Sequence, residues 1–118
     1  MSKLSDIEDL IVQDYFLEAF TDIRLQLQKD VYRSGISYTF TKKDPHSFII
    51  ELRLMLRGLL NDSFSDFVNL LYAVDVSENK IRFDTVKKSE EIIEIAIGLL
   101  IKREWDKVRF RNDMDTRD

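Results

Sequence analysis

The sequence predicts an all-α fold, a four-helix bundle-like domain, and two observations support this class. The 118 residues include only three Gly and one Pro. Because these residues form the turns of sandwiches and barrels, their scarcity favours long helices. Apolar side chains also recur with the 3.6-residue period of amphipathic helices, at about residues 6–30, 45–60, 63–74 and 86–111. A hydrophobic content of 44% is enough for one core, so we expect residues 1–118 to form a single domain.

The first helix is expected to begin at residue 6, within a capping box. In the motif Ser5-Asp6-Ile7-Glu8, the Ser5 hydroxyl and the Glu8 carboxylate would satisfy free amide groups of the first turn. Ser34-Gly35 follows the helix and breaks it. The apolar side of this first helix comprises Val12, Tyr15, Phe16, Ala19, Phe20, Ile23 and Leu27.

Residues 36–41 have the two-residue period of an extended segment. Their apolar members are Ile36, Tyr38 and Phe40, and Ser and Thr lie between them. A short strand here would need a partner, either residues 80–84, which alternate in the same way, or the same segment of a second subunit. The alternative is an extended loop that lies across the bundle.

Asp44-Pro45 is expected to begin the second helix, because Asp can cap a helix and Pro is tolerated at its first position. Ser63 is expected to cap the third helix. The main apolar side of the second helix comprises Phe48, Ile49, Leu52, Met55, Leu56, Leu59 and Leu60. A second line of small and apolar residues lies apart from that side and comprises Ile50, Leu54 and Gly58.

The fourth helix is more apolar than one neighbouring helix can cover. Eight of the ten residues from Ile92 to Ile101 are apolar, and their arc spans about 240°, against about 100° for an ordinary surface helix. Either this helix is central, or a second subunit or another protein covers one side of it. The residues predicted to form such an interface are Ile50, Leu54, Gly58, Ile95 and Leu99. Residues 112–118 form a polar tail.

No catalytic, cofactor or metal motif is found in the sequence. The chain has no Cys and one His, His46, and adjacent helical residues such as His46 and Ser47 point about 100° apart, too far to act as base and nucleophile. The three glycines are isolated, which excludes phosphate-binding loops of the Walker or dinucleotide type. Carboxylates spaced four residues apart are best explained as solvated helix faces; they are Asp14, Glu18, Asp22, Glu90 and Glu94. We expect neither an enzyme nor a cofactor or metal.

One stretch near the C-terminus combines basic and aromatic residues in a pattern that can bind nucleic acid. Its members are Lys102, Arg103, Trp105, Lys107, Arg109 and Arg111. Cations are also typical of a helix C-terminus, where they interact with the helix dipole. The net charge of −4 disfavours phosphate backbones. Nucleic-acid binding is therefore the second hypothesis.

The leading hypothesis is a non-catalytic helical module for protein–protein interaction or regulation that forms a homodimer. A third hypothesis, an enzyme or carrier, places a pocket among aromatic side chains of the first and third helices, namely Tyr15, Phe16, Phe20, Phe67 and Tyr72. Aromatic residues at helical spacing more often form a core. No apolar run approaches the ~20 residues of a membrane span, and no secretory signal is found, so we expect a cytoplasmic protein without membrane contact.

Overall fold

The computed structural model describes residue 7, residues 9–81 and residues 88–115. The described chain forms four helices of 11 residues or more, α1 (Asp14–Arg33), α2 (Pro45–Asp62), α3 (Phe64–Val74) and α4 (Ser89–Asp115). A short 3-10 helix, Glu78–Lys80, follows α3. The all-α prediction is confirmed, and the described residues contain no β-strand.

Helix α4 is the central element of the fold. It packs against α1, α2 and α3, while α1 and α2 pack against α3 and α4 more than against each other. Its buried side chains form the middle of the core and include Ile93, Ala96, Ile97, Leu100, Ile101 and Val108. Of the two explanations for the apolar excess of this helix, the central position therefore accounts for most of it.

The prediction that the first helix begins at residue 6 is wrong. Ile7 lies in a separate helical turn, residues 11 and 12 form a turn, and Gln13 is extended before α1 begins at Asp14. In a continuous helix, Ile7 and Ile11 would lie about 160° and about 120° away from Ile23, on the solvent side. The break allows both to be buried, at 1% and 6% exposure. The predicted capping residues Ser5 and Glu8 lie outside the described residues.

Residues 36–43, here called the strap, connect α1 to α2 in an extended conformation. Ile36 and Phe40 are buried, and Ser37, Thr39 and Thr41 are exposed, as the alternation predicts. The strap is the predicted loop across the bundle and not a strand, since its backbone is hydrogen-bonded to side chains of the two helices that it connects. Of the suggested partner segment, residues 82–84 lie outside the described residues.

Local signals set most of the remaining helix ends. Asp44 caps α2 by accepting a 3.0 Å hydrogen bond from the backbone N–H of Ser47, and Pro45 is the first helical residue. Ser63 precedes α3 as predicted, but its backbone carbonyl, not its hydroxyl, accepts hydrogen bonds from the first turn. Helix α4 continues to Asp115, one turn beyond the predicted end at residue 111. Residues 86 and 87 at its predicted start and tail residues 116–118 are not among those described.

Candidate functional site

The second apolar line of α2 lies on the outside of the domain. Ile50 is 43% exposed and Leu54, one turn later, is 58% exposed. Gly58 continues the line, and a Cβ atom added there would meet no atom within 4 Å. We call these three residues the α2 outer line. They form an open surface of two branched apolar side chains followed by a position without a side chain.

Two Arg–Glu pairs connect α2 to α4 beside this line. Arg53 donates to both carboxylate oxygens of Glu94, at 2.6 and 3.1 Å, and Arg57 donates to both oxygens of Glu90, at 3.0 and 2.9 Å. Because successive arginines on α2 meet preceding glutamates on α4, the two helices run antiparallel. The hydrogen bond to Arg57 holds the pKa of Glu90 below its ordinary value.

The predicted interface residues on α4 are not in the same environment as those on α2. Ile95 and Leu99 are half-buried and pack against the core. Gly98, which lies between these two residues in the sequence, packs against the helical turn that contains Ile7. A Cβ atom added at Gly98 would be 3.7 Å from Cδ1 of Ile7. The chain itself therefore covers part of the surface that could have been an interface.

The basic and aromatic residues of α4 do not form one solvent-facing surface. Most of the six bind other groups of the chain: Arg103 pairs with Asp75, Lys107 with Asp30 and Glu104, and Arg109 with Asp106, while Arg111 donates to Gln26. Trp105 stacks on Tyr15, with ring centroids 5.0 Å apart, and the Arg109 guanidinium lies 4.9 Å from the Trp105 ring centroid. Lys102 is exposed.

The five aromatic residues of the pocket hypothesis do not come together around one pocket among the described residues, although Phe16 and Phe20 are in contact, with ring centroids 6.1 Å apart. Phe16, Phe20 and Phe67 are buried core residues. Tyr15 stacks on Trp105, and the Tyr72 hydroxyl donates to Glu78. His46 is exposed, and no three His, Cys, Asp or Glu side chains among the described residues come together as a metal site. None of the described helices has both the length and the hydrophobicity that crossing a membrane requires.

A buried carboxylate, Glu51, binds the strap to α2, and sequence reasoning did not find it. Glu51 is 7% exposed and accepts hydrogen bonds from the backbone N–H groups of Thr41 and Lys42 and from the hydroxyls of Tyr38 and Thr41, at 3.0–3.2 Å. Burial alone would raise its pKa, but these donors outweigh burial and hold the pKa below its ordinary value.

Side chains of α1 bind the other side of the strap. Gln28 donates to the carbonyl of Tyr38 at 2.7 Å and accepts from the N–H of Phe40 at 2.7 Å, so its amide pairs with the backbone as a neighbouring strand would. One turn earlier, Arg24 donates to the carbonyls of Phe40 and Lys42, at 3.0 and 2.7 Å.

A second buried cluster lies between α1 and α4 and was also missed. Asp30 and Glu104 are both 0% exposed, and the ammonium of Lys107 lies 2.9 Å from Asp30 Oδ2 and 3.1 Å from Glu104 Oε1. Among the described residues, neither Glu104 oxygen makes a hydrogen bond of good geometry. Burial, followed by the nearby Asp30 carboxyl, raises the pKa of Glu104 to about 8, although Lys107 acts in the opposite direction.

No protein-family model, curated protein sequence or solved structure matches this chain. The function of the protein is therefore inferred from the surfaces and clusters described above.

Proposed function

We propose that the protein is a non-catalytic helical interaction module that self-associates through the α2 outer line. The observation that carries the proposal is the exposure of Ile50 and Leu54, at 43% and 58%, one turn apart on a helix that is otherwise well packed. Apolar side chains exposed singly are common on protein surfaces. Two that are aligned with an open glycine provide a site against which another helix can pack.

The dimensions of the line favour a helix as the opposing surface. From Ile50 to Gly58 the line covers about 12 Å along the helix axis, which is the length of a helix–helix crossing contact. Since Gly58 has no side chain and nothing lies above it, another backbone can approach closely at that end.

The proposed occupant is a second copy of this chain. In a two-fold contact the same line is used on both sides, so the two aliphatic side chains of one copy would pack near the glycine of the other. The charged residues beside the line could also pair with the same residues of a second copy. Arg57 and Glu90 keep 37% and 61% of their side chains exposed, so each sign of charge is available to the opposite sign on the second copy.

We propose a non-catalytic role because the described polar clusters do not lie in a pocket. The strap carboxylate Glu51 and the Asp30–Glu104 cluster are buried between helices and bind groups of the same chain. Most of the basic residues of α4 are also engaged within the chain, so we do not propose nucleic-acid binding. The chain lacks Cys, and we propose the cytoplasm, where thiols stay reduced and disulfides are rare, as the site of action.

The test is the oligomeric state, measured by size-exclusion chromatography with light scattering over a wide range of concentration. We expect the wild-type chain to shift from monomer to dimer, and Leu54→Asp to remain monomeric with an unchanged far-ultraviolet circular dichroism spectrum. The matched control is Leu17→Asp on α1, since Leu17 is 44% exposed but lies away from the line. This variant should dimerise like the wild type.

Two outcomes would contradict the proposal. A wild-type chain that stays monomeric at the highest concentration would exclude self-association. Dimerisation of Leu54→Asp to the wild-type extent would show that the contact lies elsewhere. If Leu54→Asp loses its helical spectrum, Gly58→Leu provides the second test, because a side chain added there has free space in the monomer and would obstruct only a close partner.

A further inference from the structure

The cluster of Asp30, Glu104 and Lys107 contains more negative than positive charge if all three groups are ionised. Among the described residues, Lys107 is the one cation that contacts both carboxyls, at 2.9 and 3.1 Å. A second cation, Arg33, approaches only Asp30 Oδ1, at 3.3 Å, and its side chain is 66% exposed, so solvent screens its charge. Glu104 therefore shares the Lys107 ammonium with Asp30, which also has Arg33 as a second partner.

Protonation of Glu104 would resolve this imbalance. A neutral carboxyl carries an O–H donor, and the Asp30 carboxylate beside it is an acceptor. Two ionised carboxylates can only repel each other, and an unpaired charge at 0% exposure is strongly unfavourable. With Glu104 protonated, the two carboxyls carry a single negative charge, which the Lys107 ammonium balances.

We propose that the contact between α1 and α4 is a pH-sensitive latch, closed while Glu104 is a neutral acid and opened when that proton is lost to an alkaline medium. This proposal is independent of self-association through α2. Ionisation leaves a second negative charge at a site of 0% exposure between the two helices, and separating the helices admits water to solvate it.

The neighbouring charged groups do not provide another route to neutralise Glu104. On α1 the facing groups are Asp30 and Arg33. Asp75, directly after α3, pairs with Arg103 of α4. The arginines of α2 pair with Glu90 and Glu94, at the opposite end of α4.

The chain contains its own reporter of the latch. Trp105, the single Trp, follows Glu104 directly and stacks on Tyr15 of α1 at 5.0 Å, and it also meets Phe16 edge-on at 5.7 Å. If α1 and α4 separate, both ring contacts are lost and the indole becomes more exposed to water. Its fluorescence should then shift to longer wavelength.

The experiment is a titration of the full chain from about pH 6 to about pH 9.5, below the ordinary pKa of Tyr. It follows Trp105 fluorescence and, by carbon-detected NMR on Glu-labelled protein, the Glu104 carboxyl carbon. In the wild type we expect both signals to change together, with a midpoint near pH 8. In Glu104→Gln the fluorescence change should be lost. The control Glu18→Gln replaces an exposed glutamate of α1 and should titrate like the wild type.

Each possible result supports or overturns the proposal. A Glu104 carboxyl carbon whose signal does not change across this pH range, as expected for a glutamate with the ordinary pKa of 4.5, would overturn it, and this measurement needs only the wild type. A fluorescence change that persists in Glu104→Gln would assign the transition to another group. A carboxyl that titrates near pH 8 without any change in Trp105 would show that the buried acid ionises without opening the contact.

Discussion

Two glutamates of this small domain are almost equally buried, yet their surroundings have opposite effects. Glu51, between the strap and α2, is 7% exposed and accepts hydrogen bonds from two backbone N–H groups and two hydroxyls. Glu104, between α1 and α4, is 0% exposed and faces another carboxyl, with one shared ammonium. The pKa is lowered in the first case and raised to about 8 in the second.

The comparison shows what hydrogen-bond donors change: at Glu51 several donors together outweigh burial, whereas at Glu104 burial is the largest effect and raises the pKa. Because the folded pKa of Glu51 is lowered, its contribution to stability is present above pH 4.5 and is lost as the pH falls through the folded pKa. For Glu104 the sign is reversed. Its folded form binds the proton more tightly, so the contribution of Glu104 to stability is fully present below pH 4.5 and is lost between pH 4.5 and about pH 8. Glu51 therefore stabilises the folded state at neutral and alkaline pH, whereas Glu104 stabilises it at acidic pH.

The largest effect is expected when the acceptor of the strap is removed. Glu51→Leu keeps the size of the side chain but leaves the N–H groups of Thr41 and Lys42 and the Tyr38 hydroxyl without their acceptor. We expect the free energy of unfolding at neutral pH to decrease by about 3 kcal/mol, measured by chemical denaturation. Tyr38→Phe, which removes one donor, should cost about 1 kcal/mol. Equal losses for the two variants would contradict the central role of the carboxylate.

A smaller effect is expected when the cation of the α1–α4 cluster is removed. Lys107→Met retains most of the apolar stem but leaves Asp30 with only the exposed Arg33 as a partner. We expect the free energy of unfolding at neutral pH to decrease by about 2 kcal/mol, less than for a fully buried pair because the Lys107 side chain is 21% exposed. Because Lys107 lowers the pKa of Glu104, the midpoint of its titration should also move above pH 8. An unchanged midpoint would show that the ammonium does not act on Glu104.

The smallest effect is expected on the α1 side of the strap. Gln28→Ala removes two hydrogen bonds to the strap backbone but leaves the bonds from Glu51 in place. We expect a loss of about 1 kcal/mol, measured by thermal unfolding. The control is Gln26→Ala, which removes one exposed bond to Arg111 and should have a smaller effect. If the control is as destabilising as Gln28→Ala, the side-chain amide of Gln28 has no special role in holding the strap.

Local signals were sufficient for much of the fold. Asp44-Pro45 predicted the first residue of α2, and the alternation at residues 36–41 predicted an extended segment. The break before α1 had a signal that was overlooked, since Ile7 and Ile11 would face solvent in a continuous helix. No sequence signal indicated the residues that bind the strap. Gln28 and Glu51 are ordinary polar residues on helices until the tertiary fold places a backbone beside them.

The candidate sites were predicted only in part. Ile50 and Leu54 are exposed as the separation of their line from the main apolar side suggested, but their role in self-association stays a prediction. Asp30 and Glu104 each interrupt the buried side of a helix, Asp30 after Ile23 and Leu27, and Glu104 after Ile97 and Ile101. That position could have been read from the sequence. Their contact with each other could not, because it depends on how α4 crosses α1.

The central position of α4 has a consequence for how the chain folds during synthesis. The strap joins α1 to α2 through hydrogen bonds between residues 9 to 18 positions apart, so this part can form while the ribosome is still adding the rest. The bond between Asp30 and Lys107 spans 77 positions. We therefore expect the nascent chain to expose the apolar sides of α1, α2 and α3 until α4 has emerged, and to depend on chaperones during that interval.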